Sequence, residues 1–149
     1  MKIANACKKS RFKLFISNNP KLVYKVKADG IYIPAFNKEK SFLNLEKKNI
    51  IILGSAHNQK EIQNKISQKC EAIFLSPVFY VPKSKSFLNL YKFNYLAHSN
   101  KVKILALGGI NEFSIRKLKL LSAKGFGGIT LFKKKPALLR PVLIKNYFF

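Results

Sequence analysis

What most restricts this 149-residue chain is an alternation: short runs rich in Ile, Val, Leu and Phe recur, and segments with helical spacing fall between them. The runs are FKLFIS (12–17), GIYIP (30–34), IIILG (50–54), AIFLS (72–76), VKILAL (102–107) and GGITLF (127–132). Most are nearly continuous apolar stretches, the pattern of parallel strands with helices on one face and a core on the other. Between them, PKLVYKVK opens with a proline suited to a first helical turn, and NQKEIQNKISQ sets Ile62 and Ile66 four apart on one face. NEFSIRKLKLLSAK reads as the clearest helix, with Asn111 as its cap, Ile115, Leu118 and Leu121 as its apolar stripe and Gly125 as its stop. The expected architecture is α/β, with six parallel strands and intervening helices, in one domain over residues 1–149.

Charge narrows the function less than its size suggests. There are 29 Lys and Arg against 6 Asp and Glu, a formal charge of +23, which is the footprint of a phosphate-backbone binder. The arginines are Arg11, Arg116 and Arg140, and the other basic residues are Lys. Planar, bidentate recognition of phosphate or guanine favours Arg, so a solvated Lys-rich surface is the simpler reading. KGFGG (124–128) matches the start of an RNA-recognition strand, but the two stacking positions are Phe126 and Gly128, so half of the aromatic platform is missing. Nucleic acid is not expected as a partner. Cys7 and Cys70 stand apart without a Cys/His cluster, and read as small buried residues of a reducing cytoplasm. No apolar run reaches the length of a membrane span, which excludes a membrane partner and points to a cytoplasmic location.

Four segments in order resemble the thiamine phosphate synthase and TenI family of (βα)8 TIM barrels. ADGIYIPAFNKE (28–39) is similar to the family's A-D-G-V-H-L-G-Q-x-D, and IILGSAHNQKEI (51–62) to I-I-G-x-S-x-H-S-x-E-E-A. IFLSPVFYVPKSK (73–85) is similar to G-P-V-F-P-T-x-T-K, and ILALGGINEFSIRKLKLLSAKGFGGITLF (104–132) to V-V-A-I-G-G-I with its helix and strand. The resemblance runs from about Ala4 to about Lys133 and implies a partial barrel whose six strands correspond to the family's third to eighth. Nothing before Phe12 resembles the Q-x-R-x-K motif of the second family strand. Two open parallel edges would then call for a homodimer, for coverage by the tails, or for a longer gene.

The resemblance also implies roles. Gly108 and Gly109 would offer backbone N–H groups to a phosphate ahead of a helix, against a bland reading as a tight turn. Ser84 and Lys85 match the end of the loop that grips the thiazole phosphate, and Lys133 stands where the family has a phosphate-contacting Ser. Asn18 and Ser55 match diphosphate contacts. His57 matches the proton-transferring histidine of TenI-type tautomerases, with a helix-capping role as its rival. The family's Mg²⁺ is ligated by two aspartates, and Asn19 and Asn37 occupy those positions. Neutral amides there should weaken a hard-cation site considerably.

The implied activity is that of a transferase. Hydroxymethylpyrimidine diphosphate loses its diphosphate, and the nitrogen of a thiazole phosphate attacks the resulting cation. Catalysis of that kind is mainly positioning and charge stabilisation. A TenI-type thiazole tautomerase using His57, or a non-catalytic protein binding a phosphate ligand or nucleic acid, are the alternatives.

Overall fold

A computed structural model describes residues 2–46, 49–82, 84 and 86–128. The elements run α1 (Lys2–Lys9), β1 (Phe15–Ser17), α2 (Pro20–Val26), β2 (Gly30–Ile33), α3 (Leu43–Glu46), β3 (Ile51–Ala56), α4 (Gln59–Ser67), β4 (Ala72–Leu75), α5 (Asn89–His98), β5 (Lys103–Leu107), a 3₁₀ helix (Ile115–Leu120) and β6 (Phe126–Gly127). The sheet has six strands in the order β1-β2-β3-β4-β5-β6. Parallel ladders set Ile16 against Ile31, Ile31 against Ile52, and Ala106 against Phe126. Sequential order with parallel ladders is what a run of right-handed strand-helix units produces. The α/β expectation of parallel strands with helices between them therefore holds.

By packing, the chain forms two compact units, Met1–Ala56 with Lys60–Ile73, and His57–Gln59 with Phe74–Phe149. In the first, Val23 of α2, Ile31 and Ile33 of β2, Ile52 of β3 and Ile62 of α4 are all sealed from solvent. In the second, Leu75, Val78, Phe93 and Ala106 are sealed in the same way. Each of the Val, Leu, Ile and Phe side chains among them contributes about 1.5–3 kcal/mol relative to exposure.

Local chemistry explains where the boundaries fall. Asn19 caps α2 by accepting the Leu22 N–H at 3.0 Å, Pro20 takes the first turn, and Lys27 closes the helix in the left-handed region. The first strand begins at Phe15 and not at Phe12. Phe12 N–H instead bonds the Cys7 carbonyl behind α1, and Leu14 N–H bonds the Asp29 carboxylate at 2.8 Å. Asp29, the sole aspartate of the chain, thus ties the entry to β1 to the turn before β2.

Two expected helical features differ. The segment after Asn111 is a 3₁₀ helix of six residues, because its apolar positions Ile115, Leu118 and Leu121 recur every three residues and so line up at three residues per turn. It ends at Leu121, which is extended, and Gly125 instead gives its carbonyl to Ala106 N–H at the start of the β5–β6 ladder. On α4 the fully sealed positions are Ile62 and Lys65, with Gln68 just beyond, whereas Ile66 is half-buried. Cys70 is buried, as expected, but Cys7 is only half-buried. The expected last strand over 127–132 begins at Phe126, and residues 129–132 lie outside the described residues.

Candidate active-site loops

Every described residue named as a site candidate follows the carboxyl end of a strand or ends one. Asn18 comes directly after β1, Asn37 in the loop after β2, His57 directly after β3, Ser84 in the loop after β4, and Gly108 and Gly109 directly after β5. Ser55 is the penultimate residue of β3 and is buried. Lys85 and Lys133 lie outside the described residues.

In the first unit, Asn18 and Asn37 meet. Asn18 holds a left-handed backbone at φ 53° and donates its N–H to the Tyr32 carbonyl. Its Oδ1 accepts the Asn37 amide at 2.6 Å, and Asn37 Oδ1 accepts the Glu39 N–H at 2.7 Å. Asn37 is buried. Its backbone carbonyl is held twice more, by Lys65 Nζ at 2.6 Å and by Gln68 Nε2 at 3.1 Å. Gln68 completes the cluster, accepting from Lys65 Nζ at 2.8 Å and donating to the Glu39 carbonyl at 2.7 Å. The loop after β2 is therefore clamped from behind by two buried side chains of the α4 segment.

Room for that clamp comes from Gly54. A Cβ there would sit 2.8 Å from Lys65 Cδ and 2.9 Å from Cys70 Sγ, so β3 has no side chain where the lysine stem passes. Burial pushes the Lys65 ammonium below its ordinary 10.5, with Cys70 and Glu61 acting in the opposite direction. Burial also pushes the Cys70 thiol up to about 12, against the pull of Lys65. A thiol in that range is neutral near pH 7 and supplies no counter-charge there.

In the second unit the corner is built from backbone. Gly108 and Gly109 take φ of 89° and 71°, a region that L side chains rarely enter. A Cβ on Gly108 would lie 2.7 Å from Pro77 Cα, and one on Gly109 would lie 2.7 Å from the carbonyls of Phe79 and Tyr80. The chain following β4 is laid directly on these glycines and pinned by Val78 N–H to Leu107 O at 2.9 Å and Phe79 N–H to Gly108 O at 3.1 Å. Behind them, Ser114 Oγ donates to the Gly109 carbonyl at 2.8 Å, and Asn111 Oδ1 accepts from the N–H groups of Phe113 and Ser114. These local bonds make a turn, not an α-helical N-terminus. The macrodipole support expected for an anion here is accordingly absent among the described residues, and any anion affinity rests on the backbone.

Ser84 differs from expectation in its hydroxyl. Oγ donates to the Ser86 carbonyl at 2.6 Å, within its own loop, so the hydrogen expected for a phosphate is committed and its lone pairs remain. His57 is exposed. His98 shares a 2.7 Å hydrogen bond with Ser122 Oγ.

The model of the thiamine monophosphate synthase family matches residues 1–132. The chain belongs to that family. A thiamine-phosphate synthase of Prochlorococcus marinus subsp. pastoris is 29% identical over 122 residues, covering 80% of this chain and 35% of that protein. The corresponding enzyme of a second Prochlorococcus marinus strain is 29% identical over 129 residues, covering 82% of this chain and 36% of its own. The chain thus spans about a third of the length of the curated relatives it matches. Among solved structures, a thiamine phosphate pyrophosphorylase from Pyrococcus furiosus superposes with a TM-score of 0.69 at 20% identity, over 83% of this chain and 60% of that one. That likeness places the fold with the TIM-barrel-like thiamine phosphate synthases.

Magnesium, on which this family generally depends, does not fit the residues present. Asn19 spends Oδ1 on the cap of α2, and Asn37 spends Oδ1 on Glu39 N–H. Among the described residues no group of three His, Cys, Asp or Glu side chains could hold a metal ion. Sequence reading found Asn18 and Asn37 but not Lys65, Gln68 or Cys70. A lysine three residues after Ile62 reads as solvent-facing; the available signal was that Ile62, Lys65 and Gln68 keep a three-residue spacing opposite the small Gly54. No helix of the described residues is long and apolar enough to cross a membrane.

Proposed function

We propose that this chain acts within a single thiamine phosphate synthase-like domain, residues 1–149, and joins hydroxymethylpyrimidine diphosphate to a thiazole phosphate. The observation that carries this reading is the corner after β5. Two consecutive glycines at positive φ, with the segment Pro77–Tyr80 packed on them, form a tight backbone turn at the strand end where the resemblance puts the phosphate, and backbone N–H groups in such turns can bind an anion. On this reading Gly108 and Gly109 face the thiazole phosphate; the resemblance adds Ser84, whose hydrogen is held by the Ser86 carbonyl, and Lys85 and Lys133, which lie outside the described residues. Asn18 and Ser55 are assigned to the diphosphate of the pyrimidine. With the phosphates anchored, the C–O bond to diphosphate breaks and the thiazole nitrogen forms the new C–N bond. The residues here contribute positioning and charge rather than a nucleophile.

The test is direct. Purified chain, given both phosphorylated precursors, is expected to form thiamine phosphate, measured by chromatography after thiochrome oxidation, and Gly109→Ala is expected to lower the rate at least tenfold. No thiamine phosphate under any metal condition would remove this reading.

A second reading has one observation in its favour. Asn19 and Asn37 are committed to the protein's own N–H groups, and thiazole tautomerisation needs neither diphosphate nor metal. In that case His57 moves the proton, and His57→Ala abolishes isomerisation while leaving thiazole phosphate binding intact.

A further inference from the structure

We propose that Lys65 is a built-in cation for the loop after β2, and that this corner accepts no divalent metal because a buried ammonium and neutral amides engaged within the protein stand there in place of carboxylates. Each amide oxygen a metal would need already accepts a hydrogen bond within the protein, and none carries a charge. Asn19 Oδ1 holds Leu22 N–H, Asn37 Oδ1 holds Glu39 N–H, and Asn18 Oδ1 holds the Asn37 amide. The Asn37 carbonyl, the remaining oxygen of that residue, accepts from both Lys65 and Gln68.

Charge points the same way. Lys65 Nζ lies 2.6 Å from the Asn37 carbonyl, so its hydrogens, which carry positive charge, face the loop that a cation would have to approach. Like charges that close repel strongly where water is excluded, and Lys65 is fully sealed from solvent. The lysine is also accommodated by design of the backbone around it, since a side chain at position 54 would collide with its stem. Mg²⁺ and Mn²⁺ prefer carboxylate and water oxygens. The carboxylate nearest in sequence, Glu39, is exposed and its Oε2 accepts from Ser41 Oγ at 3.4 Å. A loop fastened by an internal ammonium is thereby fixed without metal, and anion recognition after β2 becomes independent of divalent ions.

Mn²⁺ serves as the probe, because its free form is read directly by electron paramagnetic resonance and the readout does not depend on catalysis. Full-length chain, Asn37→Asp, and Asn37→Asp with Lys65→Met are titrated after circular dichroism confirms folding. The unmodified chain and Asn37→Asp are expected to leave Mn²⁺ free, the new carboxylate pairing with Lys65. The double variant is expected to bind Mn²⁺ at least tenfold more tightly than Asn37→Asp. Should the double variant not fold, Asn37→Asp with Lys65→Gln keeps a hydrogen-bond donor without the charge and carries the same expectation. Mn²⁺ bound by the unmodified chain and weakened tenfold by Asn37→Ala would overturn the proposal. So would a double variant binding no more tightly than the single one.

Discussion

The loops after β2 and after β5 both follow strand carboxyl ends, yet they are built on opposite principles. The first is made of side chains: buried Asn37, Lys65 and Gln68 are linked by hydrogen bonds, and exposed Asn18 joins them through the Asn37 amide. The second is made of backbone, two glycines at positive φ under the segment Pro77–Tyr80, with no side chain of their own. A side-chain corner can be rewritten one polar group at a time, and here Asn stands in place of both metal-binding aspartates implied by the family resemblance. A backbone corner tolerates no addition, so it persists or is lost as a whole. On the proposed reading, that contrast lets a chain keep the glycine corner while the residues at the metal corner change.

The largest way to break the contrast is Gly109→Val. A β-branched residue would have to hold φ near 71° with Cβ 2.7 Å from the Phe79 and Tyr80 carbonyls, which should cost about 3 kcal/mol or more, read from urea unfolding midpoints. Next is Lys65→Ala, expected to cost about 2–3 kcal/mol through the cavity it leaves and the acceptor it strands on Gln68. Lys65→Met refills the space and should recover about half of that. Asn37→Ala should cost about 1 kcal/mol, whereas Ser84→Ala, in the more exposed loop after β4, should stay within about 0.5 kcal/mol. If Asn37→Ala proved as mild as Ser84→Ala, the side-chain network would not be what holds the loop after β2.

A smaller effect follows from Cys70. Its thiol is pushed from 9.0 up to about 12, so between those values the unfolded chain releases a proton that the folded chain keeps, and stability falls as pH rises. Lys65 acts oppositely: its folded value is lowered from 10.5, so below 10.5 the unfolded chain holds the extra proton and stability rises with pH. Comparing unmodified chain with Cys70→Ala removes the thiol's own titration together with its pull on Lys65. The unmodified chain should lose about 1 kcal/mol relative to the variant between pH 9 and 10. A flat difference would mean that Cys70 is not buried as described.

The strands and α2 were legible because apolar runs and caps are local signals. Ile31, Ile33, Ile52 and Ile73 declare buried strands by composition, and Asn19-Pro20 declares a helix start. The strand-end placement of Asn18, Ser55, His57 and Gly108 was legible through the family resemblance. Lys65 was not, since a buried lysine is licensed only by distant partners: the Asn37 carbonyl 28 positions away and the space above Gly54. The 3₁₀ segment after Asn111 was misread for a related reason. Asn94, far along the chain, holds both the Leu120 carbonyl and the Ser122 N–H, and so ends the helix before Gly125 could.

The central claim is a phosphate corner that works without the metal corner. Calorimetric titration of thiazole phosphate into the full-length chain, once with EDTA and once with millimolar Mg²⁺, tests it most directly. The account predicts the same affinity in both, within about twofold, and loss of that binding in folded Gly109→Ala. Binding that vanishes in EDTA and returns with Mg²⁺ would contradict it.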